Sequence, residues 1–221
     1  MIELSNLEFH YPGSDFKLKI DALNISRGST TAVIGQSGSG KTTLLNLIAG
    51  ILEPFSGSVK VGNTDVCLLS DKARRNFRIK DIGFVFQDFR LISYLNGLDN
   101  ILLPFKINDS IQLNGETNIW IKNIAHEMGI ENKLGKYPHQ LSHGEKQRLA
   151  ICRALVARPS IILADEPTGN LDPNNKTNIM NLLFAYARKN NATLVTVTHD
   201  YDMLKDFDSI IDFNDLTIDK V

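Results

Sequence analysis

The run Gly35-Gln36-Ser37-Gly38-Ser39-Gly40-Lys41-Thr42 gathers three glycines, a lysine and a hydroxyl side chain. Glycines at this spacing let backbone N–H groups turn inward around phosphate oxygens. A helix beginning at the lysine adds unpaired N–H groups and the positive end of its dipole. Lys41 would reach the β- and γ-phosphates of a nucleotide, and Thr42, followed by Thr43, would place its hydroxyl on Mg²⁺. A purely structural glycine turn ahead of a helix is the alternative. The lysine and threonine, set between a strand and a helix, favour the phosphate reading.

A second centre follows the apolar run Ile161-Ile162-Leu163-Ala164, which ends in Asp165-Glu166. Mg²⁺ takes hard oxygen ligands and keeps several waters, so one strand-end carboxylate suffices, and Asp165 suits it directly or through water. Glu166, one residue on, points elsewhere and is the candidate to orient or deprotonate an attacking water. Two solvated acids capping a strand are the plainer reading, and the phosphate loop upstream tips the balance.

The apolar pattern supplies elements able to bring these centres together. Ile2, Leu4, Leu7 and Phe9 alternate before Pro12-Gly13, and Phe16, Leu18 and Ile20 follow it, which predicts a hairpin. Thr30 to Ile34 predicts a strand entering Gly35. Leu44, Leu45, Leu47 and Ile48 predict a helix after Lys41 that stops at Gly50. Further strands are predicted over 57–61, 82–86, 161–164, 194–198 and 210–213. Helices are predicted around 95–103, 117–128, 144–157, 175–189 and 202–205. Alternation of strand and helix implies a parallel-sheet α/β core. The strand-free middle, about 88–158, reads as a helical lobe inserted into a single domain spanning 1–221.

Twenty-four basic residues against 25 acidic ones give a net charge of −1, which argues against a nucleic-acid partner. The basic stretch Lys72, Arg74, Arg75, Arg78, Lys80 reads as a solvated helix face. Cys67 and Cys152 form no metal-like cluster and fit a reducing compartment. No charged leader precedes an apolar core, and no apolar run approaches the roughly 18 residues of a membrane span. A membrane role would have to act through a partner.

Further motifs narrow the reading. Leu141-Ser142-His143-Gly144-Glu145-Lys146-Gln147-Arg148 resembles the signature motif of the ABC ATPases, and Asp165-Glu166-Pro167-Thr168-Gly169-Asn170-Leu171-Asp172 resembles that family's Walker B strand and D-loop. Gln87 resembles the Q-loop glutamine, His199 the switch histidine, and Tyr11 the aromatic that stacks on adenine. The resemblance covers essentially the whole chain. It implies a P-loop NTPase ABC cassette: a RecA-like parallel-sheet core, an antiparallel β subdomain and an inserted α-helical lobe.

The resemblance also implies ATP and Mg²⁺ as cofactors. Glu166, His199 and Lys41 would be catalytic. Tyr11, the loop from Gly35 to Thr43, Gln87, Ser142, Gly144 and Asp172 would bind nucleotide, and Thr42, Gln87 and Asp165 would hold the metal. Two positions depart from the family: His143 stands for the usual glycine and Glu145 for the usual glutamine. His143 brings a side chain, and a φ restriction, to a helix start that should approach the opposing subunit's γ-phosphate.

One phosphate loop and one signature motif imply pairing, with itself or with a similar subunit. The implied protein is the ATP-hydrolysing subunit of an ABC transporter. It would sit peripherally at the cytoplasmic face of the inner membrane and drive a separate permease. Ile82–Phe86 with Gln87, Asp99-Asn100-Ile101 and Pro104 resemble the short cassettes of the lipoprotein-release, macrolide-export and cell-division group (LolD, MacB and FtsE type). The alternative is an ABC ATPase without a membrane partner, acting on DNA or ribosomes. Phe89, Leu91 and Ile92, ahead of the 95–103 helix, are expected to form an exposed apolar docking patch for the permease.

Overall fold

A computed structural model describes residues 1–169, 171 and 173–216, the side chains of 173 and 174 excepted. The hairpin forms as β1 (Ile2–His10) and β2 (Lys17–Ile25), with Leu7 opposite Ile20 and Leu4 opposite Leu23. Period-2 alternation turns Ile2, Leu4, Leu7 and Phe9 to the buried face. After β3 (Thr30–Ile34) and α1 (Lys41–Ile48), β4 (Ser56–Val61) and the short β5 (Thr64–Asp65) complete an antiparallel sheet in the order β2-β1-β4-β5.

The basic stretch folds as α2 (Asp71–Asp81), capped by Ser70. Its cations are not all solvated. Arg74 is buried, pairs with Glu53 and donates to the Leu69 carbonyl, while Arg78 donates to the Gly50 carbonyl at 2.6 Å. Charge patterning alone could not register the Gly50 carbonyl after α1, or the Glu53 and Leu69 acceptors, that these guanidiniums satisfy.

β6 (Ile82–Val85) leads to α3 (Gly97–Ile107), α4 (Gly115–Glu127) and α5 (His143–Leu155). Then follow β7 (Ile161–Asp165), α6 (Pro173–Asn190), β8 (Thr193–Val197) and β9 (Ser209–Asp212). The predicted 202–205 helix is a 3-10 turn, Tyr201–Asp206. β6, β7, β8, β3 and β9 form a parallel sheet in that order. β6 and β7 lie side by side although α3, α4 and α5 separate them in the chain, so the helical segment leaves the core and returns to the adjacent strand.

Two apolar cores result. One joins the inner face of the antiparallel sheet to α1 and one face of the parallel sheet; the other joins the opposite face to α3–α6. Gly83 in β6 passes so near the end of α5 that a Cβ there would lie 2.6 Å from the Ala154 carbonyl oxygen and 2.8 Å from Pro159 Cγ. α5 is thereby seated on the sheet at its C-terminal end.

Candidate active site

β3 delivers the chain to the phosphate loop and α1 receives it. Gly38 and Gly40 have φ of 77° and 110°, open to glycine and strained for other residues. A Cβ at Gly40 would lie 2.8 Å from Phe16 Cζ. Lys41 is only 5% exposed, and its ammonium donates to the carbonyls of Gly35 (2.8 Å) and Gln36 (2.6 Å). Burial lowers its pKa, against the opposing pull of Glu166 and Asp165. Ser39 Oγ is buried without a hydrogen-bond partner, a polar atom that a phosphate oxygen would satisfy.

At the end of β7, Asp165 Oδ1 accepts from Thr42 Oγ1 at 3.2 Å. Burial pushes the Asp165 carboxyl up, opposed chiefly by that hydrogen bond. Glu166 turns to φ 45°, with its N–H donating to the Val197 carbonyl at 3.0 Å. The two successive carboxylates therefore diverge. Gln87 Nε2 donates to Glu166 Oε2 at 3.2 Å, and His199 Nε2 lies 3.1 Å from Glu166 Oε1. Glu166 is held from both sides.

A cleft of about 760 Å³ joins these groups, lined by Tyr11, Phe16, Ser37, Gly38, Gly40, Lys41, Thr42, Thr43, Gln87, Glu166, Val197 and His199. A neighbouring hollow of about 450 Å³ shares Thr42 and Gln87 and adds Asp165 and His143. The Thr42 hydroxyl, the Asp165 carboxylate and the Gln87 amide are the hard oxygen donors that suit Mg²⁺.

Tyr11 lines the cleft with its hydroxyl 3.0 Å from Thr43 Oγ1 and its ring against Phe9 and Phe16. Phe16 and Val197 are additions to the expected set. Phe16 was legible only as a hairpin residue, although an aromatic beside the Pro12-Gly13 turn is a usable signal. Val197 carried none.

The signature residues stand apart. Neither Ser142 nor Gly144 lines the cleft that holds Lys41. Ser142 caps α5: its Oγ accepts the Glu145 N–H at 3.3 Å, and Glu145 Oε2 accepts the Ser142 N–H at 2.8 Å. That bond from Ser142, with Lys133 at 2.9 Å, holds the Glu145 carboxyl below the usual range. Asp172 lies outside the described residues. His143 sits in helical conformation as the first residue of α5 and is not among the positive-φ residues, so the φ restriction is not felt.

Phe89 departs from expectation. It is 8% exposed, with φ 61° and its ring edge-on to His143, and Leu91 and Ile92 are half-buried. The ring enters the seam between the end of β6 and α5, where contact with the helix outweighs exposure. An open apolar hollow of about 300 Å³ lies instead between α2 and α3, lined by Ile51, Ile79, Phe84, Phe86, Leu103, Pro104 and Ile107 together with Arg78, Arg90 and Arg153. Ile107 there is 64% exposed. These residues come from separate segments, so no local run could announce them.

Comparison with known proteins bears on most of the chain. The ABC transporter family matches residues 18–169. The lipoprotein-releasing system ATP-binding protein LolD of Rickettsia bellii is 38% identical over 95% of this chain and 93% of its own. The macrolide export ATP-binding/permease protein MacB of Rhodopirellula baltica is 38% identical over 97% of this chain, which spans 32% of that longer protein. Among solved structures, the dimeric post-hydrolysis ATP-binding cassette MJ0796 bound to ADP and Pi aligns at a TM-score of 0.86, with 34% identity over 96% of this chain and 95% of that one.

Proposed function

The chain belongs to the ABC transporter family, and on that premise we propose how its residues carry out the reaction. It is the ATP-binding and ATP-hydrolysing subunit of a transporter. The observation that supports the assignment of roles best is Glu166, held between Gln87 and His199 and facing the cleft that Lys41 and Thr42 line.

ATP enters with its phosphates in the loop from Gly35 to Thr43 and its base toward Tyr11. Lys41 gives up the Gly35 and Gln36 carbonyls for phosphate oxygens. Thr42, Gln87 and Asp165 would hold Mg²⁺, whose charge screens that of the phosphates. Glu166 orients the attacking water and takes its proton; His199, on the other oxygen of Glu166, contacts the γ-phosphate. No covalent intermediate is needed, since positioning and charge stabilisation suffice. The whole span 1–221 acts as one ATPase domain, with the 88–158 lobe as its inserted moving part.

Ser142 and Gly144 do not line the cleft of their own chain. That supports a dimer, of two copies or of this chain with a similar subunit, in which each signature closes on the other's ATP. The dimeric cassette with ADP and Pi is a relative in which pairing occurs. Among the described residues no helix is long and apolar enough to cross a membrane. In the MacB relative the matched segment belongs to a protein named both ATP-binding and permease. The reading is therefore of a cassette at the cytoplasmic face of the inner membrane, driving a separate permease of the lipoprotein-release and macrolide-export kind. The permease would dock in the hollow between α2 and α3, replacing the Phe89 surface.

Turnover and ATP affinity measured together on Glu166→Gln test the chemistry. Affinity is expected to persist while turnover falls about a hundredfold or more, as loss of a general base requires. Near-normal turnover removes Glu166 from the role.

A further inference from the structure

We infer that His143 is a positioning residue, tying the first turn of α5 to Gln87 through Phe89. The inference rests on the assignment of Gln87 and Glu166 to hydrolysis. It explains what the histidine does in a position where the family pattern has glycine.

Phe89 and Arg90 have φ of 61° and 45°, a left-handed conformation that residues with side chains rarely adopt singly, let alone in succession. Such a conformation persists only where its surroundings over-determine it. Here α5 supplies the restraint at both of its ends. Near its C-terminal end, Arg153 donates to the carbonyls of Arg90 (2.6 Å) and Phe89 (2.5 Å). Burial has lowered the Arg153 pKa to about 10, which leaves it charged and donating at neutral pH. At the first turn, the His143 imidazole lies edge-on to the Phe89 ring, centroids 4.7 Å apart and planes at 71°. Arg90 in turn sits over the Phe86 ring at 4.5 Å. Gln87 lies between these anchors, two residues before Phe89, and donates to Glu166.

A glycine at 143 would leave Arg153 as the segment's clip to α5, beside the segment's own Phe89 N–H to Phe86 carbonyl bond and the Arg90–Phe86 contact. The imidazole adds the second point, nearer the hollow that Gln87, Thr42 and Asp165 line. A displacement of the start of α5 is thus carried to the Gln87 amide and on to the carboxylate. His143 itself is exposed apart from this contact, so its removal spares the core.

The test compares full-length His143→Ala, His143→Phe, Gln87→Ala and the His143→Ala/Gln87→Ala double variant by kcat, KM for ATP and melting temperature. His143→Ala is expected to lower kcat about two- to tenfold, the scale of a lost edge-on ring pair, with KM unchanged and the melting temperature lowered by only a few degrees. His143→Phe, which keeps a ring at the contact, is expected to restore kcat. In the Gln87→Ala background, His143→Ala is expected to add nothing, because the route to Glu166 is already cut. An unchanged kcat in His143→Ala beside an impaired Gln87→Ala overturns the inference alone. So does an effect of His143→Ala that persists in full on the Gln87→Ala background. Wild-type hydrolysis by Gln87→Ala overturns the reading of the site, and the inference with it.

Discussion

Two helix starts, one lining the cleft and one standing apart from it, are finished in opposite ways. α1 begins after Gly40, with no side chain capping it and no acid in its first turn. α5 begins after Ser142, with a reciprocal cap and Glu145 in its first turn. An uncapped start between glycines leaves N–H groups and a positive dipole end for an anion. A start closed by its own hydroxyl and carboxylate has already satisfied part of that demand and carries negative charge of its own. The first start is thus suited to hold phosphate on its own. On the proposed pairing, the second would meet phosphate only when brought to it, with Glu145 tempering the attraction.

The largest expected effect comes from spoiling the visiting surface. In the Glu166→Gln background, ATP with Mg²⁺ should convert monomer to dimer, and Ser142→Arg should abolish the conversion. Light scattering decides it, and a dimer that forms regardless removes the start of α5 from the interface. Next is the seam that supports α5. Phe89→Ala should lower unfolding free energy by about 3 kcal/mol, as truncating a buried aromatic does. Ile107→Ser in the open hollow should stay within about 0.5 kcal/mol. Denaturant melts separate the two, and equal values would mean that Phe89 packs no better than a surface residue.

The smallest effect is at the cap itself. Glu145→Gln should cost about 0.5 kcal/mol, the worth of one charge at a helix start. The folded Glu145 carboxyl titrates below its unfolded value. Its contribution is therefore complete above the unfolded pKa and is lost as pH falls through the folded one. Melting temperature against pH should accordingly lose part of its acid limb in Glu145→Gln, and an unchanged limb would assign the cap to hydrogen bonding alone.

What the sequence disclosed follows the same division between local and distant. The phosphate loop was legible because its glycines, lysine and helix are contiguous, and Asp165-Glu166 because a buried strand leads straight into them. The strand order was not, since β7 and β8 come between β6 and β3 only after folding. Phe89 misled because an apolar run cannot say which of its members finds a helix to lie against. Tyr11 and Thr43, hydrogen-bonded across 32 residues, and the hollow assembled from Ile51, Ile79, Phe84 and Ile107, are products of tertiary structure alone.

Gly83 gives α5 the geometry of a lever. The helix is pressed against the sheet at its C-terminal end, where the β6 backbone comes within a Cβ's reach of the Ala154 carbonyl. Its 13 residues run from there to His143, an arm of about 20 Å at the usual rise per residue. A tilt of about 10° about that fulcrum sweeps the far tip through about 3 Å on such an arm, roughly the length of a hydrogen bond. In such a tilt the strand beneath would scarcely move while the tip travelled far enough to make or break a contact, so a bulkier residue at 83 would shift the fulcrum and misalign the tip without touching a single group in the cleft.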